Sequence, residues 1–144
     1  IISQEDILST LTQVTNTMTI FLAAIAGISL VVGGIGIMNM MLTSVTERTK
    51  EIGLRKAIGA KNREILAQIL TESVLLTFFG GVIGIFFGWL ISLGISKFAQ
   101  ISTQVSFSSI ILAFSVCTLI GIFFGWWPAQ KAAKLNPIEA LRYE

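Results

Sequence analysis

Histidine is absent from the chain and cysteine occurs once, at Cys117. That excludes a disulfide framework and any metal site built from clustered His and Cys ligands. Charge is scarce too, at 12% of residues, where soluble domains carry roughly 25%. No paired carboxylates, no nucleophile beside a base and no Gly-x-x-x-x-Gly-Lys phosphate loop occur, so the chain is read as non-catalytic and as no ATPase in its own right. An unrelated three-helix channel or membrane enzyme is disfavoured on the same grounds. The ten basic residues lie beside apolar runs and form no separate patch with aromatics. Nucleic acid is therefore not an expected partner.

What the chain has in abundance is apolar length, 53% of its 144 residues being hydrophobic. Residues 18–42, 73–95 and 107–127 contain no charged side chain, and each run exceeds the roughly eighteen residues that mark a membrane span. The expected fold is an all-α membrane protein with three transmembrane helices and the lipid bilayer as its solvent. The expected segments are an extracytoplasmic stalk (1–17), a first span (18–42), a water-side segment (43–64), a helix (65–96) containing the second span, an external loop (97–106), a third span (107–127) and a C-terminal segment (128–144).

Ser3 followed by Asp6, with Glu5 between, resembles a capping box and sets an early helix start. Ile7, Leu11, Val14, Met18, Phe21 and Ile25 recur at alternating steps of four and three, and Ile28, Val32 and Ile35 continue the seam. A single helix from Ser3 to Leu42 would be roughly 60 Å long, about twice the hydrocarbon thickness. Its first part is expected to project as a stalk, the alternative being a frayed juxtamembrane segment. Because the chain starts at Ile1 without a methionine or signal peptide, something is expected to precede it. Three spans alone enclose little, so further helices or a second copy are expected in the working unit.

Between the first two runs lies a charged island, Glu47 to Glu64. Glu51 and Arg55 stand four apart with the acid first, while Leu54, Ala57 and Ile58 gather on one side of a short amphipathic helix. Gly59 closes it in the left-handed conformation, and Asn62 with Glu64 opens the next helix. The island reads either as a docking element or as charges that merely fix topology. Glu64, Gln68 and Glu72 then form a polar stripe, and Glu72, at the span boundary, reads as hydrated or arginine-paired, the alternative being an intramembrane functional carboxylate.

Bases settle the expected orientation. Arg48, Lys50, Arg55, Lys56, Lys61 and Arg63 lie on one side with Lys131, Lys134 and Arg142, whereas the other side has Lys97 alone. The island and C-terminus are expected in the cytoplasm and the N-terminus outside. Gly80, Gly84 and Gly88, Gly121 and Gly125, and also Gly27 and Gly33 are expected to open grooves for helix packing. Ile-Gly-Ile-Phe-Phe-Gly-Trp occurs twice, at 83–89 and 120–126, as shared packing vocabulary. Trp126 and Trp127 mark an interface, Pro128 is expected to limit or kink the third helix, and Asn136, Pro137 and Glu139 start a short terminal helix.

The stretch Gly33-Gly34-Ile35-Gly36-Ile37-Met38-Asn39-Met40-Met41, the island from Val45 to Ala60, and the ending from Pro128 to Arg142 closely resemble the MacB and FtsX-like permease family. The resemblance covers nearly the whole chain. It implies the C-terminal membrane part of an ABC transporter permease in a bacterial-type cytoplasmic membrane, with a first span and a large extracytoplasmic domain not included here. It further implies that the island holds a coupling helix for an ABC ATPase domain or subunit, through Glu47, Arg48, Glu51, Ile52, Gly53, Leu54, Arg55, Lys56, Ala57 and Gly59. ATP and Mg would sit on that ATPase, with no cofactor on this chain. A second permease copy and a periplasmic adaptor or other external partner are implied as well. The implied role is mechanotransmission in export of macrolide-like, peptide or lipoprotein cargo, or alternatively FtsX-like signalling to an external cell-wall hydrolase.

Overall fold

A computed structural model describes residues 4–99 and 105–142, and five helices account for nearly all of them: α1 (Gln4–Glu47), α2 (Thr49–Ala57), α3 (Asn62–Ala99), α4 (Phe107–Ala133) and α5 (Pro137–Arg142). No strand occurs among the described residues. α1, α3 and α4 are each long and apolar enough to cross a membrane. The chain is an all-α membrane protein. Ser3 of the expected capping box and residues 100–104 of the expected external loop lie outside the described residues.

The chain divides into two units, residues 1–33 and 34–144. In the first, every described residue is exposed, including Ile7, Leu11, Val14, Met18, Phe21, Ile25, Ile28 and Val32 of the expected seam. Its many hydroxyls do not break the helix, because they bond to the carbonyl one turn back. Thr10 donates to Asp6 O, Thr12 to Leu8 O, Thr15 to Leu11 O, Thr17 to Gln13 O and Thr19 to Thr15 O, all at 2.8–2.9 Å.

In the second unit α3 and α4 run antiparallel along a seam of small residues. Ser73 meets Gly125, Thr77 meets Gly121, and Gly81 meets Cys117. A Cβ at Gly121 or Gly125 would overlap the Thr77 or Ser73 side chain outright, so only glycine allows this approach. Ser73, fully buried, donates to Gly121 O across the interface at 3.1 Å and to Leu70 O at 2.8 Å. In hydrocarbon such a hydroxyl finds no water, and the neighbouring backbone satisfies it. Phe78 and Phe114, with ring centroids 5.3 Å apart, extend the seam.

Of the expected packing glycines in this unit, Gly121 and Gly125 form a close contact, whereas a Cβ at Gly80, Gly84 or Gly88 would meet nothing of this chain within 4 Å. On α3 the facing stripe is Ser73, Thr77 and Gly81, one position away from the glycine repeat; small hydroxyl residues, not glycines alone, set the approach. Gly34, also outside the expected set, lies against the Phe124 ring.

α4 continues through Pro128 to Ala133, so the fully buried proline does not end the helix. α3 extends to Ala99, so Lys97 sits in its last turn. The apolar core gathers where the helices of this unit meet: Met41 and Val45 from α1, Ile52 from α2, Ile65 and Ile69 from α3, and Ala129 and Ala132 from α4.

Candidate functional site: the charged island and its supports

The island folds as a short helix held on two sides. Arg48 separates α1 from α2 with only a mild backbone change, since Arg48 N still donates to Ser44 O and Ile52 N to Arg48 O, at 3.1 and 3.0 Å. α2 thus follows α1 with little loss of backbone bonding. At its other end Gly59 takes φ +105°. Gly59 N donates to Lys56 O and Ala60 N to Arg55 O, at 3.1 and 3.0 Å, which is the Schellman ending that a left-handed glycine permits. α3 then begins at Asn62, where the Glu64 carboxylate accepts from Lys61 N at 3.1 Å. Asn62 is therefore the first helical residue rather than the cap.

The residues expected to act together fall on three faces of α2. Thr49, Ile52 and Gly53 point inward and are buried. Gly53 packs on α5: a Cβ there would lie 2.6 Å from the Ala140 methyl. Lys56 also turns inward, its ammonium donating to Ala133 O at 2.8 Å and Leu135 O at 2.6 Å. These are carbonyls at and just beyond the end of α4, where a helix leaves acceptors unfilled and its dipole favours a cation.

A second face looks toward α3. Arg55 donates to Glu51 at 2.5 Å and to Gln68 at 2.7 Å, while Arg48 stands 3.7 Å from Glu72. Glu72 is thus an arginine partner. These groups, with Met41, Ser44 and Ile65, line a cleft of about 30 Å³, enough for one or two waters. The pairs are 39–56% exposed, so each contributes only about 0–1 kcal/mol.

The third face is open. Glu47, Lys50, Leu54, Ala57, Ile58 and Gly59 are exposed, Leu54 at 56% and Ile58 at 81%. It has an apolar centre edged by charge, the pattern of a helix that docks against another protein. Across from it, α5 starts as expected: Asn136 Oδ1 accepts from Ile138 N at 3.3 Å and Pro137 takes the first helical position. Two supports were missed from sequence. Gln68 belonged to a recognised polar stripe, but nothing local joins it to Arg55, and Ala140 gives no signal beyond being small.

The family described as "FtsX-like permease C-terminal" matches residues 23–137. The chain is 58% identical over its whole length to "Macrolide export ATP-binding/permease protein MacB" of Bdellovibrio bacteriovorus, and covers 22% of that protein. It is 49% identical over its whole length to "Uncharacterized ABC transporter permease YknZ" of Bacillus subtilis, covering 36% of it. A MacB of Chlorobium luteolum is 58% identical over 93% of the chain, which spans 20% of that relative. The chain therefore spans between a fifth and somewhat over a third of these relatives. Its three apolar helices, its charged island and the match over most of its length identify it as a member of the MacB and FtsX-like ABC transporter permease family.

Proposed function

We propose that the chain is the non-catalytic membrane part of an ABC exporter, and that α2 is the coupling helix seated on the ATPase. The observation that carries this reading is the open face of α2. Leu54 and Ile58 are apolar and exposed on a segment rich in charge, flanked by the basic residues that mark the cytoplasmic side. The rest of the chain does not cover them. A protein partner in the cytoplasm does, and the name of the Bdellovibrio relative puts ATP binding and permease together in one protein.

The ATPase binds and hydrolyses Mg-ATP, and its closure moves α2. That movement passes into α1 across Arg48, where backbone hydrogen bonding continues, and so toward the N-terminal side outside the cell. Two copies of the permease, each with its ATPase, form the working unit, joined outside by an adaptor or other external partner. Macrolide-like compounds head the cargo classes, because relatives bear that name; peptides and lipoproteins follow. A second reading, signalling to an external cell-wall hydrolase, draws on the FtsX-like family description. Photo-crosslinking from residue 58 of the full-length transporter in native membranes tests the docking. The expected product joins residue 58 to the ABC ATPase, and recovery of lipid adducts alone overturns it.

A further inference from the structure

We infer that Lys56 is a positioning residue that pins the coupling helix to the end of α4 and to the link that leads into α5, so that α2, the α4 terminus and α5 move as one piece when the ATPase closes. This rests on the reading of α2 as a coupling helix and says through which elements the displacement travels.

The two sides of α2 are held in different ways. Toward α3 the contacts are exposed ion pairs, Glu51 with Arg55 and Arg48 with Glu72, which salt and water weaken readily. Toward α4 and α5 they are closed. The Lys56 ammonium spends two of its three donors on Ala133 O and Leu135 O, residues 77 and 79 positions away. Ala133 is the last residue of α4, and Leu135 lies in the link to α5. One turn before Lys56, Gly53 rests on Ala140 of α5, and Ala132, Ala133 and Ala140 are buried around the contact. A charged hydrogen bond in a partly buried site is directional, whereas alanine contacts alone let helices slide. Lys56 therefore fixes the register of α2 against the end of α4 and the link that leads into α5, while Gly53 holds α5 itself.

Lys56 is turned away from the open face of Leu54 and Ile58, so its loss should leave docking intact and damage transmission. Three forms of the full-length transporter are compared in lipid nanodiscs with a photo-reactive residue at position 58: Lys56 retained, Lys56→Met and Lys56→Arg. Methionine keeps the apolar stem but supplies no donor; arginine keeps both charge and donors. Lys56→Met should crosslink to the ATPase within twofold of the parent. On adding Mg-ATP, amides of 137–142 should exchange at least fivefold faster in Lys56→Met than in the parent, and Lys56→Arg should restore them to within twofold. Unchanged exchange of 137–142 in Lys56→Met, or its rise in step with a loss of crosslinking, overturns the pin. Should the parent itself fail to crosslink, the docking reading falls instead.

A measurement without substitution guards against misfolding of the variant. In the unaltered transporter, amides of 49–57 and 137–142 should keep their protection together on adding Mg-ATP. Faster exchange in 137–142 alone would show that α5 separates from α2, and the pin would be wrong.

Discussion

Gly53 lies so close to Ala140 that a single added carbon would sit 2.6 Å from the alanine methyl. The contact joins the middle of the charged island to a helix that begins more than eighty residues later, and it leaves no room for any side chain at position 53. Gly53→Leu should therefore push α5 off α2 and destabilise the fold by about 1–3 kcal/mol, as overpacking does. Unfolding in mixed detergent micelles measures it, and a loss under about 0.5 kcal/mol would show that the contact yields freely.

The open face should behave in the opposite way. Leu54 and Ile58 bury little within the chain, so Leu54→Glu should alter stability by no more than about 0.5 kcal/mol, the usual range for surface changes. Its effect belongs to the proposed docking: photo-crosslinking from residue 58 of the full-length transporter to the ABC ATPase should fall to background. Undiminished crosslinking with normal expression would remove Leu54 from the docking surface.

Glycine positions can be separated by their neighbours. Gly125→Leu drives a side chain into Ser73, whereas Gly84→Leu meets open space within the chain. The first should lower stability in detergent by about 1–3 kcal/mol or more; the second should be close to silent in the monomer. Equal losses would place an unseen contact at Gly84.

Between α2 and α3 the ion pairs are partly exposed, so electrostatic coupling there should be small and salt-sensitive. Reversing Arg55 to Glu removes its bonds to both Glu51 and Gln68. A double-mutant cycle with Glu51→Arg should give a coupling of about 0.2–1 kcal/mol that shrinks toward zero near 1 M salt. A coupling that is unchanged by salt would mean that the pair is shielded from water.

Much of the fold was legible because the bilayer imposes a strong rule: an uncharged run of sufficient length must be a helix with its backbone bonds satisfied internally. The island was legible through local chemistry. Gly59 closes α2 and Asn136 with Pro137 opens α5, each by a bond that spans a few residues. Tertiary partners were not readable in that way. The glycine repeat at 80, 84 and 88 drew attention by its spacing, yet the antiparallel register places Ser73, Thr77 and Gly81 opposite α4. A one-residue offset on a helix turns it by about 100°, which periodicity alone does not fix.

The island shows the same limit more sharply. Glu51 and Arg55 could be paired from their spacing of four. Lys56, their neighbour in sequence and equally basic, instead reaches inward to carbonyls of α4 and its link. No charge count separates these two cations. Only the fold shows that one faces a small open cleft and the other a helix end.

The most direct test of the whole picture is the side of the membrane on which residue 58 lies. In a Cys117→Ala background, Ile58→Cys and Val105→Cys are treated with a membrane-impermeant maleimide in intact spheroplasts and again after permeabilisation. The expected result is labelling of residue 105 in both states and of residue 58 only once the membrane is opened. Labelling of residue 58 in intact spheroplasts would put the island outside the cell, beyond the reach of any ATP-driven motor.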